Sequence, residues 1–320
     1  MRGRDNSIDV VAGLLIVHVI LGHIFQWAHM NSFYAPVNRA LIFFMPWFFF
    51  KSGMYFKDKP INQVLLNTKR LLLPFAVFSL IGQFFWSIMM YVDGDREISH
   101  YLLSPFKTLF AEGAINGNLP LWFLLTLCVV QCVYSLAQSK RGLVLVISLL
   151  AAYLLNEIGY SKPYLLANCC SGLFFYSVGH ILKEYQYKTP IALLSMITVI
   201  AILLIYPSMV DMRSNQLLCG NYLIWCLYSL AAITTINYLS RHLKFELITK
   251  PISFIGRNSM IFYVLHWIIM TIVLIICVIF NTKDLFVYFA IGANVIILPI
   301  VSHLLNSVNG GLCKTLLGIK

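Results

Sequence analysis

The chain has 320 residues, of which 60% are hydrophobic and only 11% are charged. Soluble globular domains are about half apolar and a quarter charged, so this composition excludes an ordinary soluble domain and predicts an integral membrane protein. The net charge of +11 does not indicate nucleic-acid binding, because the basic residues lie at the ends of apolar segments and form no stripe interleaved with aromatic side chains.

Ten apolar segments, each bounded by charged residues or by Pro, Gly or Asn, are predicted to be membrane-spanning helices. Their approximate ranges are 8–28, 38–56, 71–92, 119–138, 142–158, 164–182, 190–207, 217–239, 258–280 and 285–306. We therefore expect an all-α fold, a polytopic transmembrane helical bundle in one domain over 1–320, without a separate soluble domain. The longest loop, 93–118, contains HYLLSPFKTLF, which we expect to lie flat on the membrane surface.

The distribution of lysine and arginine predicts the orientation of the chain. With a cytoplasmic N-terminus, sixteen of these residues fall in cytoplasmic segments and six on the opposite side. Because positively charged loops stay in the cytoplasm, both termini are predicted to be cytoplasmic. We interpret the N-terminal segment as the first spanning helix rather than a signal peptide, because polar residues interrupt its apolar run.

The first predicted helix contains SIDVVAGLLIVHVILGH, residues 7–23, with three titratable side chains. A centred aspartate costs about 2.5–3.5 kcal/mol on insertion scales, so such residues often have a function. At 100° per residue, Asp9 and His23 share a face, whereas His18 points about 140° away from His23. We expect His18 to hydrogen-bond a neighbouring helix, while spacing alone leaves His23 open between a structural and a functional role.

The ninth segment, ISFIGRNSMIFYVLHWII, places a second histidine inside a predicted helix. Asn258 or Ser259 is predicted to cap this helix. Ser259 and His266 are seven residues apart and therefore share a face, with His266 about 10–13 Å into the helix. A purely structural hydrogen bond remains the alternative for His266.

Two segments place basic residues near the predicted cytoplasmic side. In FFMPWFFFKSGMYFK, Pro46 is predicted to kink the second helix, and Lys51 either snorkels to the headgroups or contacts a phosphate. In NTKRLLLPF, Lys69 and Arg70 are predicted at the start of the third helix, as topology anchors or as an anion site beside the helix N-terminus.

The remaining sequence contains no established catalytic or metal-binding pattern. There is no Gly-rich phosphate loop, no HExxH and no GxSxG. His29 and His180 are expected at membrane interfaces. The eight cysteines lie mostly in apolar runs without metal-ligand spacing, which favours small buried side chains and predicts no metal site.

Several segments, taken in order, resemble the acyltransferase 3 family of multipass membrane acyltransferases. They are IDVVAGLLIVHVILGH (8–23), FFMPWFFFKSGMYFK (43–57), KRLLLPF (69–75), LWFLLTL (121–127) and SFIGRNSMIFYVLH (253–266), with LFFYSVGHILK (173–183) a looser match. The resemblance covers nearly the whole chain, and the order of the motifs makes it more specific than any single motif.

The resemblance implies transfer of a small acyl group, usually acetyl, from cytosolic acyl-CoA to a glycan hydroxyl. The family's essential histidine corresponds to His23. Two positions depart from the family pattern: Ala12 stands where a basic residue is usual, and Asn67 replaces the first arginine of an Arg-x-x-Arg pair that ends at Arg70. We expect Lys51 to supply a substitute charge for Ala12.

Together these observations predict an O-acyltransferase in the inner (cytoplasmic) membrane with His23 as the general base, since neutral imidazole accepts protons near pH 7. An acyl-histidine intermediate is the less favoured variant. Water is expected to reach Asp9 at the cytoplasmic end, while His23 lines a deeper polar cavity. The supporting roles are expected to be orientation or charge stabilisation by His266, binding of CoA phosphates by Lys51, Lys69 and Arg70, and contact with substrate by Trp122, Asn258 and Ser259.

The expected partners are acyl-CoA as co-substrate, most plausibly acetyl-CoA, membrane lipid, and a glycan or lipid-linked sugar acceptor; a homo-oligomer is left open. The alternative function is a non-enzymatic exporter or flippase of a glycan intermediate, because polar groups inside helices also mark transport pathways. No internal repeat with paired broken helices supports that alternative, and no filter-like loop supports an ion channel.

Overall fold

The fold is described from a computed structural model that covers residues 6–243 and 245–307. The protein is 83% helical, which confirms the predicted all-α polytopic class. Within the described residues, seven apolar helical stretches are long enough to cross a membrane. The number of spans and their orientation stay predictions.

The described helices and strands follow one another in this order. The helices are α1 (Asn6–Trp27), α2 (Asn31–Ala40), α3 (Phe44–Met54), α4 (Ile61–Val92), α5 (Ile98–Leu102), α6 (Ser104–Glu112), α7 (Trp122–Ala137), α8 (Arg141–Glu157), α9 (Tyr164–Leu182), α10 (Thr189–Ile205), α11 (Tyr222–His242), α12 (Glu246–Arg257), α13 (Ser259–Ile279) and α14 (Phe286–Ser307). A hairpin of β1 (Met209–Asp211) and β2 (Gln216–Cys219) precedes α11, and short 3₁₀ turns cover Asn116–Leu121, Gln138–Lys140, Tyr185–Tyr187 and Lys283–Leu285.

The predicted second span, 38–56, is divided between two helices. A turn separates α2 from α3, so Pro46 lies in the first turn of α3 and does not kink a continuous helix. Proline is well tolerated there, because the first backbone N–H groups of a helix have no partner within it. The prediction of a Pro46 kink was therefore wrong.

The third predicted span begins ten residues earlier than expected. Helix α4 starts at Ile61 and continues through Pro74. Lys69 and Arg70 therefore lie inside the helix, where backbone N–H groups are already paired, and not at its N-terminus. The expected anion site of helix-terminal N–H groups does not form at these two residues.

The eighth predicted span, 217–239, also has a different start. Residues 216–219 pair in the β-hairpin, and Gly220 adopts a left-handed conformation (φ 79°) that favours glycine. The side chain of Asn221 then caps α11 by accepting hydrogen bonds from the backbone N–H of Leu223 (2.9 Å) and Ile224 (3.2 Å). The cap sets the start of α11 at Tyr222.

The described residues form two compact units, each built from separated stretches of the chain. Unit 1 comprises the described residues up to Leu15, with Ala35–Val64 and Val129–Arg257. Unit 2 comprises Ile16–Tyr34, Leu65–Cys128 and the described residues from Asn258 onward. Helices α1, α2, α4 and α7 contribute residues to both units.

Unit 1 contains a closed network of polar side chains between α3, α11 and the 3₁₀ turn Tyr185–Tyr187. The Trp47 indole N–H donates to Asn237 Oδ1 (2.8 Å), and Asn237 Nδ2 donates to Gln186 Oε1 (2.7 Å). Gln186 Nε2 in turn donates to the carbonyl oxygen of Lys183 (2.9 Å). Each buried amide therefore has both a donor and an acceptor contact, which is what a stable interior requires.

Unit 2 contains the long segment that was expected to lie on the membrane surface. Its residues form α5 and α6, whose large apolar side chains are exposed: Ile98, Leu102, Leu103, Phe106 and Phe110. An exposed apolar face of this size fits an interfacial helix. Its placement against the lipid stays a prediction.

Five of the sixteen basic residues counted as cytoplasmic lie outside the described residues, together with one cysteine. They are Arg2, Arg4, Lys244, Lys314, Lys320 and Cys313.

Candidate active site

Two histidines that are distant in sequence meet in unit 2. His23 of α1 stacks on His266 of α13, with ring centroids 5.5 Å apart and an interplanar angle of 16°. The edge of Trp267, the next residue along α13, meets the same His23 ring at 5.1 Å. His266 is fully buried, Trp267 is 5% exposed, and His23 is half-buried. Both histidines predicted as site residues are therefore in one cluster, which we call the histidine cluster (His23, His266 and Trp267).

The tautomer of His266 follows from its backbone contacts. His266 Nδ1 lies 2.8 Å from the carbonyl oxygen of Tyr263 and 3.2 Å from that of Phe262, one turn earlier in α13. A carbonyl oxygen only accepts hydrogen bonds, so Nδ1 carries the proton and donates. In the neutral ring, Nε2 then has a free lone pair and acts as an acceptor.

The buried polar atoms around this cluster are not satisfied within the protein. His266 Nε2, Trp267 Nε1 and Asn118 Oδ1 have no hydrogen-bond partner among the described residues. Asn118 is placed by its amide nitrogen, which donates to the carbonyl oxygen of Val264 (3.0 Å) on α13. An unpaired buried polar group costs about 1–3 kcal/mol, so these three atoms on and beside α13 mark a candidate ligand site.

Aromatic rings enclose one side of the histidine cluster. Trp27, one turn beyond His23 on α1, meets Trp267 edge-on at 4.7 Å and also contacts Trp86 (6.3 Å) and Phe286 (6.1 Å). These contacts tie α1, α4, α13 and the start of α14 together in unit 2. They hold the indole of Trp267 in place against His23.

His18 has the structural contact expected from its helical position. Its Nδ1 is 3.1 Å from the hydroxyl of Tyr34 on α2, and the two rings stack. His18 is 4% exposed. The prediction that His18 hydrogen-bonds a neighbouring helix is confirmed.

The surroundings of Asp9 differ from the prediction, because its carboxylate is buried and paired with a cation. The carboxylate is 4% exposed and its Oδ2 lies 3.4 Å from Nε of Arg257 at the end of α12. Arg257 also donates from Nη2 to Asn6 Oδ1 (2.8 Å). The expectation that water reaches Asp9 was therefore wrong, because the carboxylate is buried beside the Arg257 guanidinium.

The close approach of α12 to α1 explains why Asp9 is buried. Gly256 of α12 packs against the backbone of Asp9, and a Cβ at this position would overlap the Asp9 carbonyl oxygen. Gly13 packs against the Ile252 carbonyl in the same manner. Both contacts belong to unit 1, and they bring the two helix backbones together at Asp9, whose side chain is buried there.

The basic residues predicted to hold CoA have different surroundings. Lys51 lies over the indole ring of Trp47, with Nζ 5.2 Å from the ring centroid. Lys69 and Arg70 are exposed side chains on α4. Exposed lysine and arginine can attract phosphate from solution, whereas a cation held on an aromatic ring is already partly engaged.

The three residues predicted to contact substrate are Asn258, Ser259 and Trp122, and each has its own surroundings in unit 2. Asn258 precedes α13 but does not cap it with its side chain; its Oδ1 accepts from Nδ2 of Asn306 (2.8 Å). Ser259 begins α13 and is half-buried. Trp122 is buried and packs edge-on against Phe123 (6.3 Å), which in turn contacts Tyr263 (6.0 Å). The prediction that the Asn258 side chain caps α13 was wrong, because this side chain accepts a hydrogen bond from Asn306 of α14 instead.

Sequence reasoning missed Trp267, Asn118 and Arg257. Trp267 follows directly after a histidine that was singled out, so its position next to His266 was an available signal. Asn118 lies in a 3₁₀ turn more than a hundred residues from His266, and no local pattern connects the two. Across the described ranges 6–243 and 245–307, no group of three or more His, Cys, Asp or Glu side chains is placed to hold a metal ion.

The length and apolar composition of the helices define a multipass helical membrane protein. The family model described as an acyltransferase domain matches residues 5–304, and the chain belongs to this acyltransferase 3 family. The membership predicted from the motifs is confirmed. No curated protein and no solved structure gives a significant match. The protein is thus a membrane acyltransferase.

Proposed function

We propose that the protein is an O-acyltransferase that moves a small acyl group, most plausibly acetyl, from acyl-CoA to a hydroxyl of a glycan or glycolipid, with His23 as general base. The observation that carries the proposal is the stacking of His23 on His266 inside unit 2. A half-buried imidazole beside unsatisfied buried polar atoms supports a reaction centre more than a structural contact.

The reaction requires one base and one leaving group. The hydroxyl oxygen attacks the thioester carbonyl carbon, a C–O bond forms, and the hydroxyl proton passes to His23. When the carbonyl re-forms, the C–S bond breaks and the thiolate takes the proton back from the imidazolium. His23 therefore ends the cycle unchanged, and no covalent acyl-histidine is needed.

The acyl donor is proposed to approach from the cytosol, attracted by exposed basic residues. Lys69 and Arg70 are both exposed, which supports a role in attracting CoA phosphates. Lys51, held over Trp47, is proposed to contribute less. His266 is proposed to orient the acceptor by accepting, at Nε2, a hydrogen bond from a sugar hydroxyl other than the one that reacts. Asp9, paired with Arg257 in unit 1, is proposed to hold the start of α1 and not to take part in proton transfer.

The protein is proposed to lie in the cytoplasmic membrane with both termini in the cytosol. The basic asymmetry of sixteen to six supports this orientation. Reporter fusions after Lys320 and within the 93–118 loop should report opposite sides of the membrane. Reporters on the same side would contradict the orientation.

Acyl-CoA turnover by the purified protein tests the proposed function. In lipid nanodiscs with acetyl-CoA and a lipid-linked sugar, free CoA should appear together with an acetylated acceptor that mass spectrometry detects. Movement of the unmodified glycolipid across the bilayer of vesicles that contain the protein, without consumption of acyl-CoA, would instead support the exporter function.

A further inference from the structure

The inference concerns Trp267 and rests on the proposed function of the histidine cluster. The indole ring is 5% exposed, and its Nε1–H group has no hydrogen-bond partner among the described residues. Indole is a donor and never an acceptor. A buried indole N–H therefore lacks an acceptor atom, and a bound ligand can supply one.

An unpartnered indole is not a site by itself. Trp225 in unit 1 is also fully buried with an unpartnered Nε1, but its ring contacts are Phe175 (5.4 Å) and Tyr222 (5.4 Å). Trp267 differs because it contacts the imidazole of His23 at 5.1 Å. An acyl carbon attacked beside His23 therefore lies within reach of the indole of Trp267.

His266, the residue before Trp267, supplies a hydrogen-bond acceptor where Trp267 supplies a donor. His266 is held by Nδ1 on two backbone carbonyls, so its Nε2 accepts and does not donate. The histidine cluster therefore has one unsatisfied acceptor, suited to a hydroxyl group, and one unsatisfied donor, suited to a carbonyl oxygen. A sugar hydroxyl can donate to Nε2, and a thioester carbonyl oxygen can accept from the indole N–H, so the two groups fit a sugar acceptor and a thioester together.

We propose that Trp267 is a catalytic residue whose indole N–H donates a hydrogen bond to the thioester carbonyl oxygen during acyl transfer. As the hydroxyl oxygen bonds to the carbonyl carbon, the C=O electron pair moves onto this oxygen, and the proton moves to His23. The indole N–H stabilises the resulting negative charge until the C–S bond breaks. Donors of this kind act strongly in a water-poor site, because they are already in place when the charge develops.

The test removes the N–H and keeps an aromatic side chain. Trp267→Phe should lower kcat by about 10²–10³, the loss typical of one oxyanion donor. The KM for acetyl-CoA should change little, because the bond strengthens mainly in the transition state. The pH profile should keep the wild-type shape, since His23 is unchanged. Replacement of Trp267 by 3-benzothienylalanine, which retains the two-ring shape without an N–H, should give the same loss.

Trp225→Phe is the matched control, because it also removes a buried, unpartnered indole N–H. It should leave kcat near the wild-type value. Wild-type activity in Trp267→Phe, or in the benzothienylalanine protein, would overturn the role of the N–H. An equal loss in Trp225→Phe would overturn it too, by tracing the effect to general packing.

The same experiment separates this inference from the proposed function. If His23→Ala abolishes transfer while Trp267→Phe retains it, the proposed function stands and the role of Trp267 falls. If the unmodified protein transfers no acyl group from any acyl-CoA, both fall together.

Discussion

The Trp47–Asn237–Gln186 network and the histidine cluster are both built from buried polar and aromatic side chains, yet they differ in how their hydrogen bonds are satisfied. In the network, an indole N–H donates to an amide oxygen, and the chain of bonds continues to a backbone carbonyl. In the histidine cluster, an indole N–H and an imidazole nitrogen have no partner among the described residues.

This difference separates a structural role from a functional one. A satisfied polar network stabilises one arrangement of helices, and removing a member leaves its partners unpaired. An unsatisfied cluster lowers stability and is retained where a ligand completes it. The predictions below test this contrast, beginning with the largest expected effect.

His23→Ala should reduce acyl transfer by about 10²–10⁴, because general base catalysis contributes this factor. Transfer by the wild-type protein should also fall on acidification, since a protonated imidazole cannot accept the hydroxyl proton. Membrane insertion and helix content should be unchanged, which gel filtration and circular dichroism would check. His18→Gln is the matched control and should keep most activity, because glutamine can still hydrogen-bond Tyr34. A folded His23→Ala protein with wild-type transfer would end the proposed mechanism.

Asn237→Ala should destabilise the protein without changing transfer per folded molecule. The substitution leaves the Trp47 indole N–H and Gln186 Oε1 without their partners, at about 1–3 kcal/mol for each buried group. Thermal unfolding in detergent would measure the loss. Asn306→Ala, which removes one bond at an exposed residue, should have a smaller effect. Equal losses of stability in the two variants would mean that the buried network stabilises the protein no more than the Asn258–Asn306 hydrogen bond does.

Gly256→Ala should also destabilise unit 1, by about 1–3 kcal/mol, because the new methyl group overlaps the backbone of Asp9. Gly292→Ala on α14 is the control, since no atom lies within 4 Å of a Cβ there. Alanine has a better helix propensity than glycine, by up to about 1 kcal/mol. The control should therefore be neutral or stabilising in thermal unfolding. Stability changes of the same sign and size in both would argue against the close α1–α12 contact.

Arg70→Ala should weaken acetyl-CoA binding about two- to fivefold at low ionic strength and less at high salt. Exposed charge pairs contribute little, and salt screens them over a Debye length of about 10 Å at 0.1 M. Titration calorimetry at two salt concentrations would measure this. Affinity that is independent of Arg70 at both concentrations would leave this residue as a topology anchor only.

The Asp58–Arg141 ion pair should have the smallest effect on stability, and this effect should be lost in acid. The hydrogen bond from the Arg141 side chain lowers the pKa of Asp58, an exposed residue between α3 and α4. A lowered carboxyl pKa contributes stability that is present above the unfolded value of about 3.9 and is lost as the pH falls through the lower folded value. Thermal unfolding of Asp58→Asn and wild type should therefore converge in acid and differ slightly at neutral pH. A difference that grows on acidification would contradict this assignment.

The contrast between predicted and observed helices has a physical reason. Apolar runs of about twenty residues predict spanning helices well, because the bilayer leaves the backbone no other hydrogen-bond partners. The start of α4 at Ile61 was missed, because the segment INQVLLNT mixes polar with apolar residues and forms no continuous apolar run. Strand β2 was missed because its last residues, Leu217, Leu218 and Cys219, lie close before the apolar run of α11 and were counted with it.

The candidate site was predicted only in part. His23 and His266 were singled out because titratable groups are costly in an apolar helix. Asp9 was predicted to be in contact with water, because a position near a helix end is compatible with exposure to solvent. Its burial depends on the contact between Gly256 and the α1 backbone, which no pattern within α1 reveals.

The sequence by itself determined the membrane class, the helical content, the family and the two histidines, because each follows from composition or from a local pattern. Only the tertiary structure decided that His23 stacks on His266, that Arg257 pairs with Asp9, and that the Trp267 indole N–H lacks an acceptor. These three features join residues more than two hundred positions apart or depend on the surroundings of a single buried atom. Such contacts are set by how helices pack, and packing has no periodicity along the chain.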